Sequence, residues 1–246
     1  MQAYIEEVIE AGSVDFSNEL YMKIYLSGCD FKCPYCNTPH LLETKFEQEI
    51  DLREIKKQME NQKGTVEGII ISGGEPCFQK AALLDMLSKA KELEMKTVID
   101  TNGSKPDVIE ALLKNELITK INVDIKAPMN ELFDKVTNSS TWFKTSKDIM
   151  NDMKQTLEIL KAYDEKAEIT FQTTIIPGLI FRKEDLMKIA KEIEDINCVW
   201  ELKSFRTSQV TDKRIKELKT PTDEFLKNIR EQIMKEKPGL NMRLSF

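Results

Sequence analysis

LYMKIYLSGCDFKCPYC, residues 20–36, runs an apolar, alternating stretch directly into three cysteines, Cys29, Cys33 and Cys36. The first eight residues, LYMKIYLS, carry the period-two pattern and aromatic content of a strand. The cysteines then sit on the loop at that strand's C-terminal end. Three is an odd number for a disulfide framework, and a closed tetrahedral zinc site takes four ligands, commonly as two CxxC pairs. The spacing CxxxCxxC therefore poses one question, whether a fourth ligand exists elsewhere in the chain.

Working outward, the strand-then-helix pattern repeats. IDLREIKKQMEN (50–61) reads as an amphipathic helix with Asp51 as N-cap. VEGIIIS (66–72) reads as a buried strand that ends in Gly73-Gly74, and AALLDMLSKAKEL (81–93) as the helix after it. KTVIDT (96–101), PDVIEALLKN (106–115), KINVDIK (120–126) and SKDIMNDMKQTLEILKAY (146–163) continue the alternation. AEITFQTTII (167–176), RKEDLMKIAKEIEDI (182–196), CVWELKSF (198–205) and TDEFLKNIREQIMKE (222–236) extend it, with LNMRLSF as a terminal strand. Six such units imply a parallel α/β fold with right-handed crossovers. They are too few for a closed eight-fold barrel and suit a partial, three-quarter TIM-type barrel, one domain over 1–246. Polar and glycine-rich residues fall at the C-terminal ends of the strands, where parallel α/β folds place their sites. NSSTWFKTS (138–146) is the loosest stretch and reads as a flexible active-site loop.

The totals narrow the function classes. The chain has 246 residues, 36 Lys+Arg against 42 Asp+Glu and a formal net charge of −6, which offers no electrostatic footprint for a nucleic-acid backbone. No apolar run approaches the length of a membrane span. Glu6, Glu7 and Glu10 stand where a secretory signal needs positive charge, so the expected location is the cytoplasm. Five cysteines, three clustered, then point to metal binding or catalysis in a reducing compartment.

For the cysteines, His40 follows Cys36 by four residues and is one candidate fourth ligand, whereas Cys77 and Cys198 are distant and read as core. A cubane iron–sulfur cluster held by three thiolates leaves one iron open, and an open metal position is a feature of chemistry rather than of structure. On that reading the fourth ligand is not protein.

CxxxCxxC with an aromatic residue, Tyr35, before the last cysteine resembles the signature of the radical S-adenosylmethionine superfamily. ISGGEP (71–76), at the next strand end, resembles that superfamily's GGEP motif. The resemblance implies a 4Fe–4S cluster on Cys29, Cys33 and Cys36 whose open iron binds S-adenosylmethionine. Cleavage of that cofactor gives a 5′-deoxyadenosyl radical, which abstracts hydrogen from an unactivated C–H bond. Gly73 and Gly74 would let backbone approach the cofactor without a Cβ in the way, with Glu75 and Pro76 shaping the turn.

IDTNG (99–103) and VDIKAP (123–128) resemble motifs of the glycyl-radical-enzyme activating enzymes, such as those for pyruvate formate-lyase and anaerobic ribonucleotide reductase. SVDFSNEL (13–20) faintly resembles the segment before the cysteines there. The resemblance covers essentially the whole chain, without the eight-cysteine ferredoxin-type insert that some members carry. It implies that Lys126 reaches the methionyl carboxylate, and that Asp100, Thr101 and Asp124 hold a monovalent cation beside the cofactor. Tyr35, Gly73, Gly74, Glu75, Thr101, Asn102 and Arg206 fall among the cofactor contacts. It implies as partners a glycyl-radical enzyme and a flavodoxin- or ferredoxin-type electron donor, under anaerobic conditions.

Duller readings stand beside these. Asp100 and Asp124 read equally as strand-end caps or solvated carboxylates, Thr101 as a strand residue, and Asn102-Gly103 as a turn. Trp142 and Phe143 either grip a partner peptide or anchor their loop. The chain also departs from the activase pattern. Asn37 stands where many activases have histidine, Gln172 where an arginine is expected, and Arg206 where a histidine contacts the cofactor in the pyruvate formate-lyase activase. These departures lean toward a divergent enzyme of the anaerobic ribonucleotide reductase type. The alternatives are a radical enzyme acting on a small molecule or RNA, similar to 7-carboxy-7-deazaguanine synthase, and a non-catalytic metal-binding module.

Overall fold

Strand β1 (Gln2–Val14) lies where the sequence analysis placed no element. It pairs antiparallel with β2 (Leu20–Leu26), and its register slips between Ile5 and Glu7 and again between Ile9 and Ser13. Each slip breaks the period-two pattern by which a strand is recognised. A computed structural model describes residues 1–14 and 19–246. Asp15–Asn18 of the SVDFSNEL motif lie outside the described residues, as do the side chains of Ser13 and Val14.

The chain divides into two compact units. The first comprises 1–30, 40–101 and 107–122, and the second 31–39, 102–106 and 123–246. In the first unit the strand order is β3 (Glu49–Asp51), β1, β2, β4 (Gly68–Gly73), β5 (Lys96–Thr101), with β2–β4 and β4–β5 parallel. Helix α1 (Leu52–Gln62) begins at Asp51, whose carboxylate accepts from the Arg53 N–H as an N-cap. It buries Leu52, Ile55 and Met59, and α2 (Lys80–Glu92) buries Ala82, Leu83, Met86, Leu87 and Ala90. Those spacings put one stripe of each helix against the sheet. Each fully buried aliphatic side chain stabilises the fold by roughly 1.5–3 kcal/mol. Helix α3 (Pro106–Lys114) starts on its proline, where the missing N–H has no partner to lose.

Strand β6 (Lys120–Asp124) gives its first three residues to the first unit and its last two to the second. The second unit continues with α4 (Glu131–Thr137), α5 (Ser146–Ala162), β7 (Glu168–Ile175), α6 (Lys183–Ile193), β8 (Val199–Ser204), α7 (Lys213–Lys216), α8 (Asp223–Glu236) and β9 (Asn241–Ser245). β7–β8 and β8–β9 are parallel. Its core is pinned by one hydroxyl: Thr173 accepts from the Trp200 indole N–H at 3.0 Å and donates to the Ile125 carbonyl at 2.9 Å. Helix α4 was also missed, because seven residues give only two turns of periodicity. It is capped by Asn130, which accepts from the Leu132 N–H.

The architecture is α/β, built of mostly parallel strand–helix units, as expected. The stretch read as loose is partly a built turn. Thr141 N–H donates to the Lys144 carbonyl at 2.8 Å, and Thr145 and Asp148 form a capping box at the start of α5. It presents Trp142 and Phe143 to solvent, each 95% exposed, so neither anchors the loop. Among the described residues no helix is long and apolar enough to cross a membrane.

Candidate active site

Strand alternation decides what the first unit presents. Tyr21 on β2, Ile70 on β4 and Val98 on β5 form one buried apolar cluster. Two residues further along the strands, on the same face, stand Lys23, Ser72 and Asp100. The Lys23 ammonium lies 3.6 Å from the Asp100 carboxylate and 5.1 Å from the centre of the Tyr25 ring. The Asn122 amide donates to Asp100 at 2.8 Å, while its own Oδ1 is buried without a hydrogen-bond donor.

At the strand ends the same unit is closed by backbone. Gly28 N–H donates to the Leu41 carbonyl and Cys29 N–H to that of Leu42. Gly74 N–H donates to Leu26 and Glu75 N–H to Gly28, both at 2.8 Å. Gly73 has a φ of 127°, and a Cβ built on it would fall 2.1 Å from the Leu26 carbonyl oxygen. On Gly74 it would fall 2.4 Å from that of Gly28. The close approach that the glycines permit is thus to the chain's own backbone.

Glu75 is fully buried, and its carboxylate accepts from the Cys77 N–H at 2.9 Å and the Thr101 hydroxyl at 2.6 Å. It caps the short 3-10 helix Pro76–Gln79 and ties the GGEP turn to the end of β5. Cys77 touches the same hydroxyl at 3.6 Å. Burial, and then the Glu75 charge, push the Cys77 thiol well above its ordinary range. These contacts give Glu75 and Thr101 an architectural role that the motif alone did not reveal.

The second unit presents the other motif residues. Phe31 packs edge-on against Phe133 of α4, centroids 6.0 Å apart, and Lys32 N–H donates to the Thr137 carbonyl. This fixes the loop that carries Cys33, Tyr35 and Cys36, and Cys36 N–H closes a turn on the Cys33 carbonyl at 3.1 Å. Lys126, just past β6, donates to Asp124 at 2.8 Å. Desolvation depresses the Lys126 ammonium, but the Asp124 charge, followed by Tyr35 and Cys33, more than offsets it and holds the lysine protonated. Asp124 is pushed up by desolvation and pulled further down by Lys126 and then Lys203, so its carboxyl sits below the ordinary value. Desolvation raises the Cys33 thiol to about 11, with Lys126 opposing. Tyr35 is held well above its usual range by burial and the charge of Cys33.

Asn102 is mostly buried, and its Oδ1 accepts from the Ser104 N–H, closing the turn whose Gly103 has a φ of 77°. The Gly103 carbonyl accepts from Thr156 of α5 at 2.7 Å. Arg206 is exposed and donates to the Phe246 carbonyl. His40 is exposed, and Cys198 is half-buried with its thiol raised to about 12 by desolvation. Gln172, the residue in place of the expected arginine, donates to Glu201 at 3.4 Å and accepts from Lys203 at 3.2 Å. Arg243 donates to the same fully buried Glu201 at 3.0 Å. Sequence reading missed Lys23, Asn122, Glu201, Lys203 and Arg243. Their one signal was a charge or amide interrupting an otherwise apolar strand.

Among the described residues no three of His, Cys, Asp and Glu are grouped as ligands of a single metal ion. The donor set that exists fits an iron–sulfur cluster: Cys33 and Cys36 lie on one ordered turn, and both are free, partly exposed thiols.

Comparison with known proteins agrees with this chemistry. The family model of the radical SAM superfamily matches residues 24–190, and the chain belongs to that superfamily. A protein of Methanocaldococcus jannaschii, provisionally named a glycyl-radical enzyme activating enzyme, is 30% identical over 93% of this chain and 91% of its own length. The pyruvate formate-lyase-activating enzyme of Clostridium pasteurianum is 26% identical, over 72% of this chain and 70% of its own. A crystal structure of a radical SAM methyltransferase from Sphaerobacter thermophilus superposes with a TM-score of 0.67 at 14% identity, covering 98% of this chain and 77% of that one. That last likeness shows the fold, the partial TIM-type barrel. The chain is a radical SAM enzyme of the activating-enzyme family, with a 4Fe–4S cluster and S-adenosylmethionine as cofactors.

Proposed function

We propose that this enzyme installs a glycyl radical on a partner enzyme of the anaerobic ribonucleotide reductase type. When bound, the cluster and cofactor supply one chemistry: an electron from a flavodoxin- or ferredoxin-type donor splits S-adenosylmethionine into methionine and a 5′-deoxyadenosyl radical. The hydrogen atom so removed would come from a glycine Cα of the partner, with methionine and 5′-deoxyadenosine as the products. Cys29, Cys33 and Cys36 hold the cluster as thiolates. Lys126 receives the methionyl carboxylate as a point charge. Gly73, Gly74 and Glu75 fix the turn on which the cofactor rests, and Tyr35, Thr101, Asn102 and Arg206 complete the cofactor contacts. The whole chain serves as one functional domain.

The observation that carries this reading is the Asp124–Lys126 pair, whose charges act on Cys33 and Tyr35. It keeps an ammonium protonated in desolvated surroundings beside a cluster cysteine, where an anionic group is to be received. Similarity to activating enzymes over nearly the full chain supports the choice of substrate class.

One observation favours a second reading, a small-molecule substrate. Gln172, Glu201, Lys203 and Arg243 form a defined polar set in the second unit, as a ligand pocket would need. Electron paramagnetic resonance separates the two. The cluster is reconstituted without oxygen, and S-adenosylmethionine, a reductant and the anaerobic ribonucleotide reductase of the same organism are added. A glycyl radical doublet on the partner is expected. Release of 5′-deoxyadenosine without a doublet would move the substrate elsewhere. Cys33→Ala is expected to lose the cluster absorbance, the bound iron and all turnover; turnover that survives it would sink both readings.

A further inference from the structure

The monovalent cation implied beside Asp100, Thr101 and Asp124 needs oxygen donors that are free to turn toward it. The Thr101 hydroxyl points to Glu75, at 2.6 Å. Asp100 already faces the Lys23 ammonium at 3.6 Å and the Asn122 amide at 2.8 Å. Asp124 already holds Lys126 at 2.8 Å. Lys203, fixed by Gln172, adds a second positive field at Asp124. Each carboxylate of the expected cation set thus has a lysine of its own.

Lys23 is placed to stay where it is. It rises from the middle of β2, with 20% of its side chain exposed, and its register neighbour on β4 is Ile70. The apolar cluster of Tyr21, Ile70 and Val98 closes the space on one side. The Tyr25 ring, 5.1 Å from the ammonium, attracts the charge as a cation–π partner. An ammonium tethered to a strand is present at every salt composition, whereas an alkali ion must be drawn from solution and stripped of water.

We infer that Lys23 is a built-in counter-cation to Asp100, taking the place of a monovalent metal ion, so that S-adenosylmethionine binding by this enzyme is indifferent to alkali salts. This rests on the radical SAM reading of the same residues. The buried Asn122 Oδ1, which lacks a donor, adds a corollary. With Lys23 removed, that oxygen and the Asp100 carboxylate form the start of an alkali-ion seat.

The test is equilibrium binding of S-adenosylmethionine to the cluster-loaded protein in potassium, sodium and tetramethylammonium chloride at one ionic strength. Wild-type dissociation constants should agree within about twofold. Lys23→Met should bind about tenfold more weakly in tetramethylammonium and regain most of that loss in potassium. Lys23→Arg should stay indifferent. A wild-type protein that binds about tenfold more tightly in potassium than in tetramethylammonium overturns the inference. Thallium(I) resonance on the same protein without S-adenosylmethionine keeps the two failures apart. A saturable thallium site in the wild type overturns the inference even if S-adenosylmethionine binds in no salt. The expected result is a saturable site in Lys23→Met and none in the wild type. Failure of S-adenosylmethionine to bind at all, with that thallium pattern intact, would count against the radical SAM reading alone.

Discussion

In the first unit Gly73, Gly74 and Glu75 meet backbone and a hydroxyl; in the second, Cys33, Tyr35, Asp124 and Lys126 are desolvated together, with the charges of the Asp124–Lys126 pair set against that burial. The first arrangement is steric and should fail as a loss of fold. The second is electrostatic and should fail as a loss of binding or a change of pH response. A motif that looks uniformly like ligand contact in the sequence therefore separates into a frame and a charge set, and substitutions can tell them apart.

The hardest break belongs to the frame. Gly73→Ala adds a methyl 2.1 Å from the Leu26 carbonyl oxygen at a φ of 127° that an L-residue rarely adopts. It should cost about 3 kcal/mol or more and shift the urea midpoint strongly, even in the cluster-free protein. A Gly73→Ala protein that unfolds like the wild type but binds S-adenosylmethionine poorly would return the glycine to the ligand side.

Next comes Glu75. Glu75→Ala removes the buried oxygen that the Cys77 N–H and the Thr101 hydroxyl share, and losing such an acceptor costs about 1–3 kcal/mol. Glu75→Gln keeps an acceptor oxygen and should recover much of that stability. Equal loss in the two variants, measured by denaturant unfolding, would mean that the charge rather than the hydrogen bonds does the fastening.

The charge set is sharpened through pH. The Asp124 carboxyl is depressed in the folded protein, so its contribution to stability is present above the ordinary carboxylate pKa and is lost as pH falls through the folded value. Desolvation is the largest influence on Asp124, and Lys126 is the main one opposing it. Lys126→Met should therefore raise the Asp124 pKa toward or above its unfolded value, which lowers stability at neutral pH and shrinks the loss that acid brings. Unfolding free energies from about pH 3 to 6 would show it. The same variant should weaken S-adenosylmethionine binding at neutral pH by tenfold or more, on the order of 1.4 kcal/mol. An unchanged acid limb would mean that Lys203 alone carries Asp124.

What the sequence made legible follows this division. Six strand–helix units were readable because their helices keep a 3.6-residue apolar period and their strands are either alternating or, as in β4, continuously apolar. β1 escaped because its register shifts break the period, and α4 because it is too short to establish one. The cysteines stand out by their spacing, whereas Lys126 enters only through the resemblance of VDIKAP to the activase motif. The work of Glu75 was not, because a carboxylate after two glycines looks the same whether it faces a ligand or caps a buried turn. Lys23 and Asn122 gain meaning only once strand register places both beside Asp100.

The smallest effect is expected at Trp142 and Phe143, which belong to neither arrangement. A residue that anchors its loop buries area, and truncating it then costs stability in proportion. Both rings are 95% exposed, while their turn is held from below by the Thr141–Lys144 hydrogen bonds and the Lys144–Asp152 ion pair. Replacing both by alanine should leave the melting curve within about 0.5 kcal/mol of the wild type. Replacing Thr141 by alanine should loosen the turn more than removing either ring, because it deletes the acceptor of the Lys144 N–H. Proteolysis within 138–146 reads that directly. If the ring variant is cut faster than the Thr141 variant, the rings are packing on something in solution, and the turn is not the independent support its hydrogen bonds describe.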